Sequence, residues 1–279
     1  MARLPNVRLD LSNRPENVLL VRETLTGLAE AVGLDAGELS DVRTAAAEAC
    51  NNVVLHAYSG EEGPLEVEID VGEGCLRLVV RDRGVGMAQD VLSSANGENG
   101  IGLPVIAALA HRVDFGETAG GGSEIRMEFE TPSVRELAPA PGEGFELAPF
   151  AEIGNAGTAT VSVAPAPLAR AIVPRLLAVL AARAHFSTDR ISDTQLLGDA
   201  IVAHAAEALS GSHLGLTVAV EPRALEVSVG PLIPGRAAGL IRQAELDELG
   251  LLLQKLADRH ELVSAGSHEM LKLHLLDQR

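Results

Sequence analysis

Glu48-Ala49-Cys50-Asn51-Asn52-Val53-Val54-Leu55-His56-Ala57-Tyr58 closes an Ala-rich helix that opens at Asp35 or Ser40 and stops at the turn Ser59-Gly60. Two adjacent asparagines inside such a helix sacrifice helix propensity without serving as a cap, so their amides have another task. Glu48, Asn52 and His56 are spaced i, i+4, i+8. That spacing stacks them on one helix face, which can present a carboxylate and an amide to one ligand or form the solvated edge of an amphipathic helix.

Upstream, Asn6 to Leu11 alternates as a short strand, and Ser12 or Asn13 is placed to cap a helix with Pro15 in its first turn. Apolar residues at Val18, Val21, Leu25, Leu28 and Val32 recur every three or four positions, and Gly33 closes this helix. Downstream, Leu65, Val67, Ile69 and Val71 alternate as a strand, Gly72-Glu73-Gly74 turns, and Leu76 to Val80 is its hairpin partner. A helix from about Leu103 to Ala110 and two strands, Val113 to Glu117 and Glu124 to Glu130, complete the unit.

Three further motifs lie in this unit. Asp82-Arg83-Gly84-Val85-Gly86-Met87 ends a strand and opens a glycine turn. A carboxylate placed there can accept a hydrogen bond from an exocyclic amine while bare backbone approaches the rest of a base, although Asp-x-Gly-x-Gly is also a common turn. Gly97-Glu98-Asn99-Gly100-Ile101-Gly102-Leu103-Pro104 leads a glycine run into a helix whose free N–H groups suit an anion. Gly120-Gly121-Gly122-Ser123, before the last strand, reads as a hairpin turn more readily than as a ligand contact.

Composition excludes whole classes of function. With 39 acidic against 22 basic residues the formal net charge is −17, so no broad cationic surface meets a phosphate backbone or an anionic lipid. Aromatics make up 2% and Trp is absent, which removes base-stacking platforms and leaves Leu, Val, Ile and Ala to build the core. Cys50 and Cys75 are too few for a disulfide framework or a four-cysteine zinc site, and both read as small buried thiols. The start Met-Ala-Arg-Leu-Pro carries no apolar signal core, and the run Leu176 to Ala182 is far shorter than the ~20 residues of a membrane span. A reduced, cytoplasmic protein without nucleic-acid or membrane partners is expected.

In order and spacing, the four motifs resemble the nucleotide-binding boxes of the GHKL (Bergerat-fold) ATPase superfamily. The run Glu-x-x-x-Asn-x-x-x-His-Ala-Tyr and the passage into Asp-Arg-Gly-Val-Gly-Met look most like the bacterial anti-sigma factor serine protein kinases. The resemblance covers about residues 5 to 131. It implies an α/β sandwich, with a mixed, mostly antiparallel sheet and helices on one face, that binds ATP and Mg²⁺. Residue by residue, it makes Glu48 the general base toward a target serine and Asn52 the holder of Mg²⁺. Asp82 becomes the acceptor of the adenine amine, Gly84 and Gly86 walls of the base pocket, and Gly100 and Gly102 neighbours of the phosphates. Met87, Ile101, Leu103 and Ser123 complete the implied nucleotide set. His56 and Tyr58 match the family pattern and are assigned structural roles. The implied partners are a sigma factor and an anti-sigma-factor antagonist. Two departures stand out: the segment between Met87 and Gly100 holds no Lys or Arg, and Ser123 stands where a Thr is usual. The bare segment keeps open a catalytically silent ATP-binding module that controls partner binding.

The second half repeats the pattern of the first. Sliding Pro15 onto Pro167 sets Leu20 on Ile172, Leu25 on Leu177, and Leu39-Ser40-Asp41 on Ile191-Ser192-Asp193, all at an offset of 152. Leu65 to Val71 then matches Leu214 to Val220 at 149, as loop deletions would produce. Glu48 falls on Ala200, Asn52 on His204, Asp82 on Pro231 and Gly84 on Ile233, so this copy has lost the nucleotide residues. The expected organisation is an ATP-binding domain at 1–132, a linker at 133–157 rich in Pro, Gly, Ala and Glu, and a degenerate copy at 158–279 without a nucleotide site. The chain is then either a monomer with pseudo-dimeric halves or a homodimer.

Overall fold

A computed structural model of the chain describes residues 4–85, 102–118, 120–134, 137, 157–238, 240, 253 and 255–278. The chain divides into two compact units, residues 5–138 and 139–279.

The N-terminal unit runs β1 (Val7–Ser12), α1 (Asn17–Val32), α2 (Ala36–Asn52), a π-helical turn (Val53–Ala57), β2 (Pro64–Gly72), β3 (Cys75–Asp82), α3 (Gly102–Leu109), β4 (Arg112–Glu117) and β5 (Ser123–Glu130). Its strands form an antiparallel sheet in the order β4-β5-β3-β2-β1. Strand alternation sends Val7, Leu9, Leu11, Leu65, Val67, Ile69, Leu76, Leu78, Ile125 and Met127 inward, all at most 3% exposed. Helix α1 lays Val21, Leu25 and Leu28 on the same core. Each such burial stabilises by roughly 1.5–3 kcal/mol. The opposite face of the sheet carries a charged ladder in which Arg81 pairs with Glu68 and Glu124, and Arg8 with Asp10.

Helix boundaries follow local chemistry. Asp35 opens α2 through a capping box with Glu38: each side chain accepts the other residue's backbone N–H at 2.8 Å. Gly33, at φ 81°, closes α1. The expected cap of α1 by Ser12 or Asn13 is not formed. Helix α1 starts later, after Glu16, without a side-chain cap bond. Asn13 instead spans to the turn before β2: its amide donates to the Glu61 carbonyl and accepts from the Gly63 N–H. Cys75 also departs from its expected burial. Cys50 is fully buried, and desolvation pushes its thiol up to about 12. Cys75 is half-buried at the start of β3 and donates its S–H to Glu128 at 3.2 Å.

Among the described residues, the C-terminal unit has the same strand–helix–helix–strand–strand opening and the same two closing strands. It comprises β6 (Thr158–Val163), α4 (Ala166–Arg183), α5 (Thr188–Ala205), β7 (Leu214–Glu221), β8 (Ala224–Leu232), β9 (Arg259–Ala265) and β10 (His268–Leu276). Its strands are antiparallel in the order β9-β10-β8-β7-β6, the counterpart of β4-β5-β3-β2-β1. No helix among the described residues is long and apolar enough to cross a membrane.

Candidate functional site

Helix α2 delivers Glu48 and Asn52 to one face at a one-turn spacing, both half-buried. The glycine at the first position of α3 meets them there. A Cβ built on Gly102 would lie 2.9 Å from Glu48 Oε2 and 3.4 Å from Asn52 Oδ1. Any side chain at this position would fill the space in front of the carboxylate and the amide. The carboxylate of Glu48 has no hydrogen-bond or ion-pair partner among the described residues, and Asn52 Nδ2 is buried without one. A buried amide group lacking a partner is costly unless a ligand or water completes it.

The π-helical turn changes the reading of this face. In an i→i+5 turn the residue stacked beyond Asn52 is Ala57, whereas His56 rotates outward and is exposed together with Leu55. His56 therefore does not share the face of Glu48 and Asn52, and no contact among the described residues supports the structural role expected of it. Ala57 does. Its carbonyl accepts the Val85 N–H at 2.9 Å, and a Cβ on Gly84 would sit 1.9 Å from that oxygen. Only glycine permits the strand-end loop to approach the helix this closely. Tyr58 has the structural role expected of it: its hydroxyl donates to the Pro64 carbonyl at 2.5 Å and accepts the Arg83 N–H at 2.8 Å. Desolvation raises its pKa above the usual tyrosine value.

Asp82 ends β3 and is 3% exposed. Its Oδ1 accepts the Gly84 N–H at 2.8 Å and the Ser123 N–H at 3.1 Å, which fixes the plane of the carboxylate. Oδ2 has no hydrogen-bond partner among the described residues. Gly122 closes the β4–β5 hairpin over the same strand end, and a Cβ there would strike the Asp82 carbonyl at 2.1 Å. The 120–123 segment is thus both the hairpin turn expected and, through Ser123, a backbone donor to Asp82. Sequence spacing alone had no means of finding that bond, because the two residues meet across the β3–β5 ladder.

The structure accordingly joins Glu48 and Asn52 to Gly102, and Asp82 to Gly84 and Ser123, with Ala57 connecting α2 to the Gly84 loop. Leu103 follows Gly102 in the first turn of α3, half-buried. Gly86, Met87, Gly100 and Ile101 lie outside the described residues. In the C-terminal unit Ala200 and His204 occupy the matching helix α5. His204 has a buried, unpartnered Nε2 in place of an amide.

Residues 11–129 match the family model described as a histidine kinase-like ATPase domain. "Serine-protein kinase RsbW" of Bacillus cereus (strain AH820) is 30% identical over 121 residues, covering 39% of this chain and 76% of the relative. The protein of the same name from Bacillus anthracis (strain CDC 684 / NRRL 3495) matches to the same extent. Among solved structures, the histidine kinase domain of the Erythrobacter litoralis EL346 blue-light activated histidine kinase shares 19% identity at a TM-score of 0.30, covering 35% of this chain and 47% of that one.

Proposed function

Through residues 11–129 the chain belongs to the histidine kinase-like ATPase family, and from that membership we propose that its N-terminal unit binds ATP with Mg²⁺ and phosphorylates a serine of a partner protein. The observation that carries this reading is the meeting of Gly102 with Glu48 and Asn52, which sets the start of α3 against an acid and an amide. Asn52 Oδ1, facing the space beside Gly102, is the atom that would hold magnesium, which when bound would neutralise charge on the phosphates, and the partnerless Nδ2 N–H suits a phosphate oxygen. The free N–H groups at the start of α3 suit phosphate oxygens. The unpaired Oδ2 of Asp82 suits the adenine amine, held in plane by the two amides on Oδ1.

In the transfer, the serine Oγ forms a bond to the γ-phosphorus as the bridging oxygen–phosphorus bond breaks and ADP leaves. Glu48 takes the hydroxyl proton. Such transfer is mainly positioning and electrostatic stabilisation. By resemblance to the RsbW relatives, the phosphorylated partner is an anti-sigma-factor antagonist and the sequestered one a sigma factor. We further propose that the repeated element order reflects a tandem duplication, with the C-terminal copy retained for packing or partner recognition without a nucleotide site.

A second reading has one observation in its favour. Residues 88–99 contain no Lys or Arg to meet the phosphates, which suits a module whose nucleotide only sets partner affinity. Incubation with radiolabelled ATP and the antagonist separates the two. Phosphoserine formation that is lost in Glu48→Gln with ATP affinity intact supports the kinase. ATP binding without transfer in the wild type leaves the silent module, and absence of ATP binding overturns both.

A further inference from the structure

The two units solve one packing problem differently, and the difference leaves a cavity. In the N-terminal unit, the space between the end of α2 and the β1–α1 connection is filled by the Tyr58 ring and the turn before β2. The ring packs so closely on Gly63 that a Cβ there would come within 2.2 Å of it. Asn13 ties that turn down through Glu61 and Gly63, and Asn17 donates its amide to the Ser12 carbonyl at 2.7 Å.

The corresponding positions in the C-terminal unit follow from matched backbone contacts. Val163 pairs with Leu214 as Leu11 pairs with Leu65. The Ile233 N–H donates to the Ala208 carbonyl at 2.8 Å as that of Val85 donates to Ala57, one position away from the sequence alignment that set Gly84 on Ile233. Tyr58 is thus answered by Leu209, Asn13 by Pro165 and Asn17 by Ala169. Six residues separate Tyr58 from Leu65 but only four separate Leu209 from Leu214. Bulk and polarity have been removed together. What remains is a cavity of about 360 Å³ whose walls include Pro165, Ala169, Val202, Ala205, Leu209 and Leu214. None of the described lining side chains is charged, in a chain of net charge −17. Ser212, also in the lining, carries a hydroxyl paired with His213 Nδ1 at 2.9 Å.

We propose that this cavity is a binding site for a small, uncharged molecule with a flat apolar body, occupying the place that Tyr58 and its turn hold in the other unit. Its volume lies at the lower end of small-molecule pockets, roughly 300–1,000 Å³, and is too small for a helix or strand of a partner protein. Apolar cavities of less than half this size, about 150 Å³, take up benzene. The largely apolar lining favours an uncharged ligand over a nucleotide, and its residues are all different from those of the site on α2, so the proposal is independent of the nucleotide reading.

Indole is a suitable probe, titrated into the full chain by calorimetry and followed by methyl NMR. The expected result is saturable binding with shifts at Leu209, Val202 and Ala169. Affinity should fall by about tenfold or more in Leu209→Tyr and in Ala169→Asn, each of which restores the filling residue of the other unit. Asp82→Asn should leave indole affinity unchanged. Absence of saturable binding to the wild type overturns the proposal. So does binding that shifts methyls elsewhere, or that survives both filling variants, and the wild-type shifts decide the matter even if one variant fails to fold.

Discussion

Asp82 holds two backbone amides with one oxygen, and the proposed function gives its other oxygen to the adenine amine, two tasks that one atom separates. Its Oδ1 satisfies the Gly84 and Ser123 amides, and Asn in its place keeps an oxygen for both while turning the other position into a donor. Asp82→Asn is therefore expected to cost less than about 1.5 kcal/mol of stability. ATP affinity should fall roughly 10- to 150-fold, because a donor then faces the adenine amine. Urea unfolding and calorimetry check the two halves, and equal ATP affinity would remove Asp82 from the base pocket. Gly84→Ala tests packing rather than chemistry. With a Cβ 1.9 Å from the Ala57 carbonyl, the loop must move, and about 1–3 kcal/mol of stability should be lost. The Glu48–Asn52 pair and the Asp82 turn were legible as sequence because helix period and strand-end glycines are local. The rotation of His56 away from them was not, since nothing in Val53–Ala57 announces a π-helical turn.

At the scale of elements, the strands and the closing glycine of α1 follow from alternation and from backbone freedom, and they fall within a residue or two of their expected bounds. The opening of α1 does not, because Asn13 is drawn away to the Glu61–Gly63 turn, some fifty residues distant in sequence. A local cap competed with a tertiary hydrogen bond and lost. Helix α2 kept its cap because Asp35 and Glu38 satisfy each other without outside help. Asp35→Ala should accordingly destabilise the unit by about 1 kcal/mol, read as a lowered urea midpoint at constant slope. An unchanged midpoint would mean that the Glu38 contact with Ser133 holds this corner by itself.

For the whole molecule, charge sets the expectations. A chain at −17 repels itself, so raising NaCl from about 0.05 M to about 0.5 M should raise Tm as screening lengths shrink below ~10 Å. A flat or falling Tm would show that ion pairs such as Arg81 with Glu68 outweigh the repulsion. Acidification acts through individual carboxyls. Hydrogen bonds from Arg14 to Glu62 and from Cys75 to Glu128 hold both carboxyls below the ordinary 4.5. Their stabilisation is complete above that value and is lost as pH falls through the lower folded pKa. Burial raises Asp10 above 3.8, so its sign is opposite: the folded state holds this proton more tightly and gains relative stability as pH falls. Asp10→Asn removes that gain, and urea unfolding between about pH 5 and pH 3 should show a steeper loss than in the wild type.

The amino-acid order by itself determined the element sequence of the first half, the strand–helix–helix–strand–strand opening of the second, and the acid–amide pair that the first carries and the second lacks. Those properties are written in periods of two and 3.6 residues and in residue identity. Tertiary structure alone decided that Gly102 closes on Glu48 and Asn52, that Ser123 secures Asp82, and that Leu209 leaves open what Tyr58 fills. Each of these depends on backbone segments far apart in the chain meeting within a few ångströms, and no local pattern encodes which atoms will meet.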